Sequence, residues 1–430
     1  MRYFSFCLLF VFCLPHFLLG DDVIPAKPKA RWYKGNLHTH SLWSDGNDFP
    51  EVIAEWYRTN GYNFLAMSDH NVLSRGAKWI NDTVPADRGA IGGVARYLER
   101  FGDQWVEVRE HDGQRQIRLK PISEYRALVE QRGEFILIQA EEITDSAEGL
   151  PVHINASNLR DVINPQGGDT VRDTIRNNLN AVKSQSVQAG RPILAHLNHP
   201  NFGYGVTAED LADVVEERFF EVYNGHPSVG HRGDENHAST ERLWDIANTI
   251  RLGEMQAVPL YGVATDDSHN YFGLRGASPG RGWVMVRATH LTPESIVKAI
   301  DRGDFYASSG VVLNSIHYDS AKKTYSIEID AQPGETYTTE FIGTVIDYDA
   351  TSRPVLDADQ QPIRATRRYS GDVGKTLAVV KGDSATYRLT GDELYVRATI
   401  TSSAKAENPF ESGQRQQAWA QPVGWRKHVK

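Results

Sequence analysis

Cysteine is almost absent from this chain. Its 430 residues include two, Cys7 and Cys13, and both fall within the first 20 positions. Residues 1–20 read as a secretory signal peptide: Arg2 supplies the positive start, residues 4–12 an apolar core, and Leu18-Leu19-Gly20 the close before two aspartates. Pro15 and His16 interrupt the run and leave it too short to span a bilayer, so cleavage and export, periplasmic or secreted, are expected. Without that segment no cysteine remains, and no membrane span is expected. This excludes disulfide scaffolds, thiolate nucleophiles, cysteine zinc sites and cysteine-ligated iron–sulfur clusters. Basic charge is also scarce. With 46 Lys and Arg against 55 Asp and Glu the net charge is −9, which excludes a broad nucleic-acid-binding surface. Repeats and low-complexity tracts are missing too. The 40% hydrophobic and 23% charged composition is globular, and the length suits two or three domains, or one large barrel with an appendage.

From about residue 31 to 310, short apolar runs alternate with amphipathic stretches. A first strand is expected to end at 36–38, further strands at 64–67, 135–138, 192–195, 219–223 and 260–264, and helices over 50–60, 123–131, 170–186, 241–251 and 292–303. The long gap after the second strand holds a hairpin insertion near 105–120, turning at Asp112-Gly113. After residue 311 helical periodicity disappears. Segments 325–329 and 394–400 alternate with period two and predict a smaller antiparallel β domain over 311–430. The fold class is α/β, a parallel sheet or barrel followed by that β domain.

Metal-friendly side chains recur where strands should end. His38, His40 and Asp45 follow the first strand, Asp69-His70 the second and Glu141-Glu142 the third. His153 comes eleven residues after Glu142; His196 and His199 follow another apolar run, and Asp266, Asp267 and His269 a late one. In a parallel barrel the carboxyl ends of the strands converge on one face, so these residues can meet. Each motif alone is weak, since a lone His-x-His is more often structural. Together they predict a cage of imidazole and carboxylate, which suits zinc, manganese or iron. Asn224 and His226, just beyond a strand, are candidate substrate contacts. Trp419 and Trp425 offer either an aromatic platform on the β domain or ordinary core packing.

Gly35-Asn36-Leu37-His38-Thr39-His40-Ser41, Ser44-Asp45-Gly46, Ser68-Asp69-His70-Asn71 and Asp267-Ser268-His269 resemble the PHP (polymerase and histidinol phosphatase) superfamily over about residues 33–310. Ala140-Glu141-Glu142-Ile143-Thr144, Val152-His153-Ile154-Asn155 and Asn198-His199-Pro200-Asn201 are most similar to its carbaryl-hydrolase-like branch. The resemblance implies a distorted seven-stranded β/α (TIM-like) barrel, over 31–310, with two to three divalent metal ions. The first metal would take His38, His40, a bridging glutamate and Asp267. The second would share that glutamate with His153 and one histidine of the 196–199 pair. The third would take Asp45, His70 and His269. Glu142 fits the Glu-Ile-Thr context better than Glu141. His199 precedes proline as the family histidine often does, while His196 follows the apolar run more directly. The implied activity is hydrolysis by a metal-bridging hydroxide, with a phosphoester the first expectation for the small-molecule substrate. Asp45, His70 and His269 would assist the leaving group where the third metal is absent. The alternative is a carbamate, ester or amide hydrolase. A carbohydrate- or protein-binding role for the β domain is a further reading.

Overall fold

The computed structural model describes residues 28–273 and 276–430, so the expected signal segment lies outside the described residues. Seven strands lie side by side in chain order: β1 (Arg31–Asn36), β2 (Phe64–Met67), β3 (Ile136–Ala147), β4 (Leu150–Ser157), β5 (Leu194–Leu197), β6 (Phe219–Asn224) and β7 (Tyr261–Thr265). β1, β2 and β3 pair in parallel, as do β5, β6 and β7. β2, β6 and β7 are buried along their whole length, which is why they read as continuous apolar runs.

β4, a strand absent from those expected in the sequence, runs antiparallel to both neighbours. Only Glu148 and Gly149 separate it from β3, both with positive φ (55° and 76°). Such a two-residue turn makes a hairpin, whereas a parallel crossover needs a dozen residues or more. His153 therefore sits within a strand and not beyond one. At the far ends of the run, Thr39 and Ser268 form an isolated parallel bridge. His40 N donates to Ser268 O at 3.0 Å, and Asp267 N to His38 O at 3.1 Å. The carboxyl ends of β1 and β7 are thus tied together.

Helices over Pro50–Thr59, Val171–Ala189 and Pro293–Asp301 begin at the positions their sequence signals mark. Pro50 opens the first, and the side chains of Thr170 and Thr292 accept hydrogen bonds from Asp173 N and Ser295 N. The second runs three residues past its predicted end and stops at Gly190 in the left-handed conformation (φ 62°). Between β2 and β3 lies an antiparallel sheet of Lys78–Asn81, Gln114–Leu119 and Val108–His111. Its hairpin turns at Asp112 and Gly113 as predicted.

The strand Trp283–Ala288 pairs antiparallel with β1. Phe305–Ser308, Arg415–Val423, Glu393–Lys405, Tyr337–Val345 and Lys375–Lys381 then extend one 13-stranded mixed sheet. The antiparallel character after residue 311 follows the period-two pattern, yet the hydrogen-bond ladder runs on past that point through Ala307 and Trp419. Trp419 is 2% exposed, with its ring centroid 5.5 Å from that of Tyr223, so it packs the core and is no platform. Arg397 is buried and makes a bidentate pair with Asp245 on the Thr240–Ile250 helix, both contacts at 2.7 Å. Among the described residues no helix is long and apolar enough to cross a membrane.

Candidate metal centre

The loop after β1 brings His38 and His40 inward on either side of Thr39, the residue bridged to Ser268. Their Nε2 atoms face the same two carboxylates. His38 Nε2 lies 3.4 Å from Glu142 Oε2 and 3.2 Å from Asp267 Oδ1. His40 Nε2 lies 3.3 Å and 3.2 Å from the same atoms. Ligand atoms held about 2.0–2.2 Å from a tetrahedral ion stand about 3.3–3.6 Å from one another, so this spacing fits a cation. His38 Nε2, His40 Nε2 and Glu142 Oε2 are buried and make no hydrogen bond. Glu142 Oε2 does lie 2.8 Å from His70 Nδ1, but that nitrogen is engaged with Thr144 Oγ1 at 2.5 Å. Three orphaned polar atoms pointing at one spot are costly unless something polar sits between them.

The other oxygen of Glu142 faces a second set of donors. Oε1 lies 3.0 Å from His153 Nδ1 and 3.4 Å from His199 Nε2, and accepts from Asn198 Nδ2 at 2.8 Å. One carboxylate thus stands between two groups of histidines. A third group gathers at the mouth: His40, Asp45, His70 and His269. Asp45 Oδ2 lies 3.5 Å from His70 Nε2 and 3.4 Å from His269 Nε2. Asp45 is the exposed member, its side chain 54% accessible.

Strand geometry separates Glu141 from Glu142, while His196 lies on β5 and His199 in the loop beyond its end. Successive residues of a strand point to opposite faces. Glu142 turns into the cluster, and Glu141 turns away to accept from Ile163 N at 2.7 Å. His196 Nε2 faces Glu221 Oε1 at 3.5 Å, while His199 is the one beside Glu142. His199 (φ 21°) and Asp267 (φ 48°) both have positive φ. Strained backbone of this kind is concentrated at functional sites, where it aims a side chain.

The acid Glu221 was not singled out by its sequence, where it is one residue of the Phe-Phe-Glu-Val-Tyr run. It is fully buried and accepts from His38 Nδ1 (2.8 Å), His199 N (2.7 Å), Thr265 Oγ1 (2.6 Å) and Asn224 Nδ2 (2.7 Å). A carboxylate on Nδ1 fixes the ring so that Nε2 faces the cluster, the usual support of a ligating histidine. A lone acid inside an apolar strand was the available signal. Asn224 also donates to Asp267 Oδ2 at 3.1 Å, which places it beneath the carboxylates as a brace. His226 is partly exposed near His269, with ring centroids 5.4 Å apart, and its Nδ1 accepts from Ser228 N.

Asp69 and Asp266, adjacent to candidate ligands, are framework. Asp69 accepts from the backbone and hydroxyls of Ser41 and Ser44 at 2.6–3.0 Å and so fastens the loop that carries Asp45. Asp266 accepts from Asn36, Tyr57 and the backbone of Gly280, Arg281 and Gly282.

Burial and charge oppose each other across the cluster. Burial would lower His38, but Asp267, Glu142 and Glu221 hold it well above its ordinary value. Burial and the neighbouring His269 push His40 down to about 3. Burial would raise Glu142 and Asp267, yet the histidines, His38 foremost, keep both well below the usual carboxylate range. The carboxylates are therefore anionic, and the positive charge beside them sits on His38, whose proton a bound cation would displace.

No protein-family model and no curated protein matches the sequence. The chain shows distant similarity to several solved structures. One, from Bacteroides vulgatus, is described as a two-domain protein containing a predicted PHP-like metal-dependent phosphoesterase; it shows 14% identity and a TM-score of 0.38 over 93% of this chain and 97% of that one. PsfC from Pseudomonas syringae shows 10% identity and a TM-score of 0.32, covering 63% and 88%. A metal-dependent phosphoesterase candidate from Bifidobacterium adolescentis shows 14% and 0.29, covering 62% and 96%.

Proposed function

We propose that the chain is an exported metal-dependent phosphoesterase of the PHP type, built on a distorted seven-stranded barrel. The observation that carries this reading is Glu142, a buried carboxylate whose two oxygens face two different sets of histidine nitrogens. His38, His40, Glu142 and Asp267 would hold one divalent ion, and Glu142, His153 and His199 a second. Asp45, His70 and His269, with His40 beside them, would hold a third. Zinc, manganese and iron all suit nitrogen and oxygen donors without sulfur.

Such ions, when bound, supply Lewis acidity that makes water nucleophilic near neutral pH and offsets charge building on a substrate oxygen. The chain's own groups set where this happens. Glu221 and Asn224 orient His38 and Asp267 from below. Asp45 stands 3.5 Å from His70 Nε2 and 3.4 Å from His269 Nε2 and favours the protonated form of each. With the outer group free of metal, His70 or His269 can carry the proton that the leaving oxygen needs. His226, at the rim, is placed to meet the substrate.

A chromogenic panel of phosphomonoesters, phosphodiesters, carboxyl esters and aryl carbamates on metal-loaded protein tests the reading. Phosphoester turnover lost in His38→Ala is expected. Hydrolysis of carbamates or esters without phosphoesters would replace it with the carbamate, ester or amide hydrolase alternative.

A further inference from the structure

A second cleft lies at the opposite end of β7 from the metal centre, against Tyr261, the first residue of that strand. It has a volume of about 370 Å³, within the range of small-molecule sites. Its walls come from the Pro293–Asp301 helix's exit at Arg302 and Gly303, and from segments of the antiparallel region. Three aromatic side chains, Tyr261, Tyr318 and Trp425, line it, and no carboxylate does.

The cations at this cleft are unusual in a chain of net charge −9. Lys323 Nζ donates to Thr390 O at 3.5 Å, and Lys427 Nζ donates to Gly391 O. Two ammonium groups thus share the carbonyls of adjacent residues in one turn. Arg426 lies over the ring of Trp425, 5.1 Å from its centroid. Among the described residues none of these three pairs with a carboxylate. Glu393, behind the same turn, is spent on Tyr387, Thr390 and Gly391. Asp304 is spent on Arg302. Cations gathered on one wall of a cleft without a carboxylate make it attractive to an anion.

We propose that this cleft is a separate binding site for a small aromatic carboxylate or a similar flat anion. The ammonium groups would take its charge, and Trp425 and Tyr318 its ring.

The test is binding of 2-naphthoate to the full-length, metal-loaded protein by titration calorimetry, with 2-naphthamide as the uncharged control. Saturable binding of the acid is expected, with weaker binding of the amide. Lys323→Gln/Lys427→Gln should weaken the acid at least about fivefold, while His38→Ala leaves it unchanged. Both lysines are exposed at the surface, so the double variant should fold, and its retained phosphoester turnover would show that it has. No saturable binding at concentrations on the order of 10 mM overturns the proposal. So does full affinity in the double variant, or loss of binding in His38→Ala.

Discussion

Glu142 and Glu141 are adjacent in sequence and opposite in environment. Glu142 is kept anionic by surrounding histidines, whereas burial pushes Glu141 up to about 8. Glu142→Gln should therefore lose metal from both groups that share it, and activity with it, by about a hundredfold or more. Glu141→Gln should keep its metal, as elemental analysis of the two proteins would show. Glu221→Gln should weaken metal binding about ten- to a hundredfold without removing a ligand, measurable by competition with a chelator. A pH effect belongs to Glu217, away from the site. Burial raises it to about 8, above the 4.5 of a free carboxyl, while its Oε1 accepts from Arg218 N and Phe219 N. The native state then holds a proton that the unfolded chain releases. Stability from this group is full below about pH 4.5 and is lost as pH rises towards 8. Glu217→Gln keeps the acceptor oxygen and removes the titration, so its urea midpoint should gain on the parent between pH 6 and 9. The candidate ligands were legible because histidine and acid pairs stand out at strand ends. Glu221 was not, since nothing in one acid within an apolar strand says which side chain it will meet.

At the scale of elements, the loop between β1 and the Pro50–Thr59 helix decides the outer group of donors. Four hydrogen bonds to Asp69 hold its Ser41–Ser44 turn, and Asp45 follows directly. Gly46 is needed where the loop passes over His40, for a Cβ there would lie 2.6 Å from the His40 carbonyl carbon and oxygen. Asp69→Ala should release Asp45 and cost the outermost metal equivalent while the inner pair stays bound. Metal stoichiometry with an unchanged circular dichroism spectrum would establish this. Loss of every equivalent would show instead that the loop supports the whole cluster. The strand–helix alternation was readable from period and turn signals, and so was the Asp112-Gly113 hairpin. β4 was absent from the expected strands, although Leu150, Val152, Ile154 and Ala156 alternate with period two, and that signal together with the two-residue gap at Glu148-Gly149 marks a hairpin.

For the whole molecule, one sheet joins the strands that carry the candidate ligands to the C-terminal antiparallel strands. Arg397 and Asp245 lock the two parts with a buried bidentate pair. Arg397→Ala should cost about 3–5 kcal/mol, because it leaves Asp245 buried without its partner. Equilibrium unfolding would measure this, and a change within experimental error would remove the pair from any account of stability. Metal binding should stabilise the native state as well. A site at hundredfold ligand excess contributes about 2.7 kcal/mol, so dialysis against a chelator should lower the melting temperature measured by calorimetry.

Composition and order along the chain were sufficient to confine both cysteines to the first 20 positions, to place imidazole and carboxylate at successive strand ends and to predict β structure after residue 311. These follow from residue type and local periodicity, which the sequence carries directly. Only the folded chain separates Glu142 from Glu141 and His199 from His196, puts Glu221 behind His38, buries Trp419 and runs the ladder from Ala307 to Trp419. Each of those depends on which distant backbone lies alongside, and pairing between strands far apart in sequence leaves no local mark on either one.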